Sequence, residues 1–252
     1  MMKTTVEING VSYEIDLNAP YADLSMAVTD IARAWYIDAP KFTPVILGDW
    51  KGSVELGGNM NFFSIDFNPH AHCTHTETAG HISQTRHSIN QHFKAPYTLA
   101  LVLYPEVTNG RVSLERFMKA WLEAKEFGGT DGIKSVIIKT DCGNGNLQRN
   151  YSQTNWPYLD AEIGTFIRNQ GIDHILIDQP SVDQEEDGGA LACHKSFWGP
   201  SPESTLHRTI TELAHIPDHV QPGNYLLHLQ VAPIENDAAP SRPLLYKFSK
   251  VQ

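Results

Sequence analysis

Long apolar runs are missing from this chain. No stretch of about eighteen apolar residues occurs, so no membrane-crossing helix is expected. The opening MMKTTVEING lacks the apolar core of a secretion signal, and none is expected there. Cysteine is scarce: Cys73, Cys142 and Cys193 are odd in number and lack metal-type CxxC spacing. This argues against a disulfide framework and favours a reducing compartment, with the cytoplasm expected. Lysine and arginine form no run, and the formal charge is −10. Phosphate binding needs a basic face, so no nucleic-acid partner is expected; a small-molecule substrate is expected from the chemistry of the histidine segment below. No repeat, low-complexity tract or clear linker divides the 252 residues, so one domain spanning 1–252 is expected. At 41% hydrophobic and 19% charged, the chain has an ordinary globular composition and enough length for a substantial core.

Histidine is abundant, and it is concentrated. Six of the twelve histidines lie between residues 70 and 92. Asn68 to His81 reads NPHAHCTHTETAGH and contains His70, His72, His75, His81 and one carboxylate, Glu77. Cys73, His87 and His92 lie in or near the same stretch. Imidazole and carboxylate together suit zinc, manganese or iron. His75 and Glu77 are two residues apart, so an extended backbone would point both to one side. His70 and His75 are five apart, which requires a bend, and Pro69 and Gly80 permit bends near the ends. The segment reads as a metal-binding loop carrying an active site; the plainer alternative is a polar surface loop whose histidines face water.

The flanking patterns indicate alternating strands and helices. Thr4 to Leu17 alternates around Asn9-Gly10, a tight-hairpin signal. Tyr21 to Tyr36 is ambiguous between strand and helix. TPVIL and NFFSIDF flank a glycine-rich loop containing Trp50, and the second run leads directly into the histidine segment. Tyr97 to Val107 reads as a buried strand. Ser113 is a candidate N-cap for a helix whose apolar face is Leu114, Phe117, Met118, Trp121 and Leu122, ended by Gly128-Gly129. Ser135 to Thr140 reads as a parallel strand. The polar connection from Asp141 to Tyr158 is long enough to suggest function. Leu159, Ile163, Phe166 and Ile167 mark a second helix, closed by Gly171, and Ile172 to Ile177 the next strand. This strand–helix–strand unit places Asp141, Cys142, Asp178 and Asp183 at strand C-terminal ends, where functional groups gather. Tyr225 to Val231 alternates as a half-buried strand does, and Pro243 to Phe248 offers one more.

At the histidine segment the chain resembles the metal-dependent cyclase family, which includes bacterial kynurenine formamidase. The family pattern runs His-x-Gly-Thr-His-x-Asp-x-Pro-x-His. Thr74, His75 and His81 match it, while Cys73, Glu77 and Ala79 replace the glycine, aspartate and proline. The first family histidine falls on Ala71; a one-residue insertion makes His70 that ligand, with His72 the competing choice. Asp23-Leu24-Ser25, Asp178-Gln179-Pro180-Ser181-Val182-Asp183, His194, Glu212 and Pro222-Gly223-Asn224-Tyr225 extend the resemblance over residues 21 to 248. It implies an α/β fold: a layered β/β/α single domain of the swivelling type with a mixed sheet. It also implies metal ligation by His70, His75, Glu77, His194 and Glu212, with Glu77 bridging if two ions bind. The implied cofactor is a divalent metal, zinc or manganese, and the implied assembly a homo-oligomer, dimer or tetramer.

A divalent ion held by two histidines and a carboxylate keeps positions open for water and substrate. It brings the pKa of bound water to about 7 and polarises a carbonyl. His81 is placed to act as general base and then acid. Hydrolysis of a carbon–nitrogen amide bond is the expected reaction, and the resemblance implies N-formyl-kynurenine or a similar arylformamide. Trp50, Phe62, Trp156 and Trp198 are candidates for an apolar pocket wall. Three other readings stay open: a cyclase, lyase or lactone/imide hydrolase on the same site; a cysteine hydrolase built on Cys142 or Cys73; and a non-catalytic metal-binding protein.

Overall fold

Seven strands form the centre of the molecule. The computed structural model describes residues 3–8, 10–126, 131–140 and 149–251. The strands are β1 (His75–Thr78), β2 (Tyr97–Leu103), β3 (Ile133–Ile138), β4 (His174–Ile177), β5 (Thr209–Glu212), β6 (Gly223–Val231) and β7 (Ala238–Tyr246). They pair in the order β6-β2-β3-β4-β5-β1-β7, and β7 returns to β6, closing a mixed barrel. β2 through β5 run parallel, and every other pairing in the circuit is antiparallel. The expected α/β class with a mixed sheet is therefore what the chain adopts. Ala22–Asp23 adds a short edge to β7.

The parallel strands read as continuous apolar runs because both of their faces are covered. Ala100, Val102, Ile137 and Leu176 pack with Leu227, Leu229 and Leu245 on one face. Leu101, Leu103, Val136, Ile138, Ile175 and Ile177 face helices α1 (Leu114–Glu126), α2 (Ala161–Asn169) and α3 (Ala192–Trp198). Phe117, Trp121 and Phe166 meet in edge and stacked contacts beneath those helices.

Some local expectations shift by a few residues. Ser113 Oγ accepts from Arg116 N, as a cap would. The buried side of α1 is Phe117, Ala120, Trp121 and Ala124, whereas Leu122, expected on the apolar face, is 56% exposed. β7 starts five residues before Pro243, because Pro240 and Pro243 need only supply carbonyls there: they accept from Ala232 N and Leu24 N. Tyr21 to Tyr36 forms no helix and only the Ala22–Asp23 strand. Gly128-Gly129, Asp141 and Cys142 lie outside the described residues.

Three of the smaller sheets stand apart from the barrel sheet. Lys3–Ile8 and Val11–Asp16 form the expected hairpin, joined by Phe248–Lys250. Lys41–Pro44 pairs with Phe63–Asp66, and Ile46–Leu47 with Trp50–Lys51, giving a separate two-stranded arm.

Candidate metal centre

β1 carries the centre of the site. Within it His75 lies opposite Glu212 of β5, and Glu77 opposite Ile210, so His75, Glu77 and Glu212 share the face that α3 covers. All three are buried. His75 Nδ1 lies 3.0 Å from the Cys73 carbonyl, which fixes the proton on Nδ1 and leaves a lone pair on Nε2. That lone pair is 3.4 Å from Glu212 Oε2. Glu212 Oε1 accepts from Val182 N at 2.9 Å.

α3 delivers His194. Its Nδ1 lies 2.6 Å from Asp183 Oδ2 and its Nε2 3.0 Å from Glu77 Oε1. Asp183 also accepts from the backbone N–H groups of Cys193 and His194, so it holds both the ring and the helix start.

The turn Pro69–His72 delivers His70. Asn68 Oδ1 accepts from His70 N and caps the turn. His70 Nδ1 lies 3.1 Å from Glu77 Oε2, and its Nε2 2.9 Å from Asp237 Oδ2. His72 turns the other way, bonding Asn68 N through Nδ1 and the Asp38 carbonyl through Nε2. Of the two competing choices, His70 is the one aimed at Glu77. His81 joins the same edge: its Nδ1 is 3.1 Å from Asp237 and 3.8 Å from Glu77 Oε2.

All six sequence-nominated residues therefore converge. Two overlapping groups have donor atoms close enough to hold an ion, His70 with Glu77 and His81, and His75 with Glu77 and Glu212. Glu77 belongs to both. Two residues given no role by sequence complete the cluster. Asp183 had a signal, its place after a buried parallel strand. Asp237 had none; it precedes β7 and meets His81 only through the fold.

The electrostatics are those of a cation site. Glu77, Glu212, Asp183 and Asp237 crowd around four imidazoles, an excess of negative charge that burial makes costly unless compensated. Among the described residues, His75 Nε2 is buried without a hydrogen-bond partner, and Glu77 Oε2 has only the His70 ring nitrogen beside it, at 3.1 Å. Lone pairs facing carboxylates, with no proton between them, suit a metal ion. Without one, protons take its place. Burial pushes the His70 imidazole down, but hydrogen bonds to Asp237 and Glu77 outweigh this and raise it to about 10. His194 is likewise raised well above the usual range, burial being overcome by Asp183 and Glu77. Burial would raise the Glu77 carboxyl, yet the His81 charge and the His194 and His70 contacts hold it well below the ordinary range.

A cavity of about 320 Å³ opens onto these groups, lined by Trp35, Ile37, Leu191, His70, His194 and Glu212 among others. Its apolar wall is thus Trp35, Ile37 and Leu191. Trp156 and Trp198 stand behind it: Trp156 packs edge-on against Trp35 and donates to the Asp183 carbonyl, and Trp198 packs against His194. Trp50 and Phe62 pair with each other on the arm and do not line the pocket, which corrects that expectation. Trp35, Tyr36, Leu191 and Leu213 have φ between 46° and 62°, a conformation costing a non-glycine residue about 1–2 kcal/mol. Trp35 and Leu191 line the pocket and Leu213 follows Glu212, so strain gathers at the site.

Of the two cysteines in the cysteine alternative, Cys142 lies outside the described residues, and burial pushes the Cys73 thiol up to about 12, which disfavours its thiolate near neutral pH.

A closed mixed barrel with histidines and carboxylates gathered on one strand face matches a known family. The cyclase family profile matches residues 17–184, and the chain belongs to that family. It is 33% identical over 116 residues to kynurenine formamidase of Bacillus cytotoxicus, a match covering 46% of this chain and half the length of that relative. It is 27% identical over 230 residues to kynurenine formamidase of Bacillus anthracis, covering 89% of this chain and 96% of the relative. Isatin hydrolase A from Labrenzia aggregata shares the fold, with a TM-score of 0.65 at 10% identity over 89% of this chain and 92% of that one. Among the described residues, no helix is long and apolar enough to cross a membrane.

Proposed function

We propose that the chain is a divalent-metal-dependent hydrolase that cleaves a carbon–nitrogen amide bond in a small arylformamide such as N-formyl-kynurenine. The observation that carries this reading is the buried, unpartnered His75 Nε2, which faces the carboxylate of Glu212, itself part of the lining of an apolar-walled pocket. His70, His75, Glu77 and Glu212 would hold the metal, with Glu77 shared if two ions bind, and His194, 3.0 Å from Glu77, would join them. Zinc and manganese both suit this donor set. The ion would activate water and polarise the scissile carbonyl.

The chain's own residues do the rest. Asp183 orients His194, and the Cys73 carbonyl orients His75, so that each presents Nε2 to the carboxylates. Asp237 accepts at His81 Nδ1, which frees Nε2 to take a proton from the attacking water and pass it to the leaving amine. Trp35, Ile37 and Leu191 offer an aryl ring an apolar wall and exclude bulk water. The buried, unpaired Cys73 and Cys193 fit a reducing cytoplasm.

The likeness to isatin hydrolase A brings a second reading of the same groups, the opening of a cyclic amide or imide. One substrate panel separates the two. The full chain is purified without added metal, analysed for bound elements, and assayed on an arylformamide, a cyclic imide and a lactone, with chelation and readdition of zinc or manganese. Formamide cleavage lost on chelation and restored by metal is expected. Turnover of the cyclic substrates alone selects the second reading, and bound metal with no turnover at all points to a binding protein. A chain that binds no divalent metal refutes both enzymatic readings.

A further inference from the structure

Backbone strain near the site extends beyond Trp35 and Leu191. Gln153 and Asn155 also lie in the left-handed region, at φ 66° and 48°. Asparagine tolerates that conformation, but glutamine has no such preference, so Gln153 stays there only if its surroundings hold it. The group that holds it is Glu185. Its Oε1 accepts from Gln153 N at 2.5 Å, and its Oε2 accepts from Asn155 N at 2.8 Å. Glu185 is only 7% exposed, so both oxygens of a buried carboxylate are committed to the backbone of one turn.

That turn delivers Trp156. The Trp156 ring meets Trp35 edge-on with centroids 4.9 Å apart, and its Nε1 donates to the Asp183 carbonyl at 3.0 Å. Trp35 lines the pocket, and its own Nε1 donates to the His70 carbonyl at 3.3 Å. The backbones of the two segments are also laced together. Arg33 N donates to Arg149 O, Tyr151 N to Arg33 O, and Tyr36 N to Ser152 Oγ. Trp35, Tyr151, Trp156 and Leu213 pack in a cluster distinct from the two that cover the parallel strands. The pocket wall therefore rests on a small core of its own, and Glu185 pins one side of it.

We propose that Glu185 is a positioning residue for substrate: by clamping the 153–155 turn it fixes Trp156 against Trp35 and so sets the pocket's grip on an aryl ring. The inference rests on the aryl pocket of the proposed function. It separates two tasks within one short segment. Asp183 holds the His194 ring at the metal centre, whereas Glu185, two residues later, touches neither a proposed ligand nor His81. Loss of the Glu185 clamp therefore loosens the wall without disturbing the groups around the ion. A change confined to a wall that grips substrate and transition state alike raises KM and leaves kcat in place.

The test compares the full zinc-loaded chain with Glu185→Gln and Glu186→Gln. Glu186 is exposed and accepts from Tyr36 Oη at 2.9 Å, so its variant makes the same charge change next door without touching the turn. Two readouts are used: binding of 2-aminoacetophenone, an aryl ketone with no amide bond to cleave, by quenching of tryptophan fluorescence, and steady-state cleavage of formanilide. For Glu185→Gln, the dissociation constant of the ketone and the KM for formanilide are both expected to rise about 10-fold, with kcat within about twofold and zinc content unchanged. Glu186→Gln is expected to match the wild type. Should Glu185→Gln lose its circular-dichroism spectrum, Ser152→Ala, which removes only the hydroxyl beneath Tyr36 N, is expected to weaken ketone binding about threefold. A wild type that binds the ketone but leaves formanilide intact refutes the formamidase reading, and the binding comparison still decides the role of Glu185. Unchanged ketone affinity in the variant, a fall in kcat at unchanged KM, loss of zinc, or a wild type that does not bind the ketone overturns the proposal.

Discussion

The candidate metal centre has two halves that are built differently. The deep half, His75, Glu77, Glu212 and His194, sits on strands and a helix and is almost wholly buried. The outer half, His70, His81 and Asp237, sits on turns, with side chains 19%, 30% and 23% exposed. Each half has its own carboxylate outside the proposed ligand set: Asp183 holds His194, and Asp237 joins His70 to His81. Rigid elements suit groups that must hold an ion, whereas a group that moves protons needs access to substrate and water. On the proposed reading, ligation falls to the deep half with His70, and proton transfer to His81.

The sharpest way to break this division is at the residue both halves share. Glu77→Gln keeps the shape but removes the charge; metal affinity is expected to fall by more than about 100-fold, with turnover lost alongside. Near-normal metal content by elemental analysis would sink the shared-ligand assignment. His81→Ala tests the outer half: turnover is expected to drop by about 10²–10⁴-fold while the metal stays bound. Loss of metal from this variant would make His81 a ligand and merge the halves.

Asp183→Asn sharpens the deep half. It removes the charge behind His194 and is expected to weaken metal binding by about 10–100-fold in a competition titration and to lower the melting temperature of the metal-free chain, where Asp183 holds the protonated His194. Unaltered affinity would reduce Asp183 to a helix cap.

A pH titration compares the halves without mutation. In the metal-free chain His70 is raised to about 10 from the usual 6.5. Its stabilising contribution is full below pH 6.5 and is lost as pH rises through 10. The melting temperature of the chelated protein should fall across that window. The metal-loaded protein should not show the drop, because ligating imidazoles are already unprotonated. Parallel melting curves for the two forms would contradict a protonated cluster standing in for the ion. The smallest effect is reserved for Cys73→Ser, which should change turnover by less than about twofold, given a thiol pushed up to about 12. Abolished turnover in that variant with metal still bound would revive the cysteine reading.

How much of this was legible in the residues varied with distance along the chain. The strand runs YTLALVL, SVIIKT and HILI, the capped helix after Ser113, and the same-side placement of His75 and Glu77 follow from spacing, since side-chain periodicity is local. The bend before His75 was visible too, though not which way His70 and His72 would turn. That depended on Asn68 capping one turn and on Asp38 waiting for His72. The apolar wall was misjudged for a related reason: Trp50 and Phe62 are adjacent to the histidine segment in sequence but project on the arm.

The residue types alone pointed to a histidine-rich candidate metal segment behind a strand-rich lead-in, in a chain of alternating strands and helices. Tertiary structure decided the rest. His194 meets Glu77 across 117 residues, and Asp237 meets His70 across 167. Those meetings require the barrel to close through β5, β1 and β7. Closure is a long-range property of strand order, and no periodicity within a single segment encodes which distant carboxylate will arrive beside which imidazole.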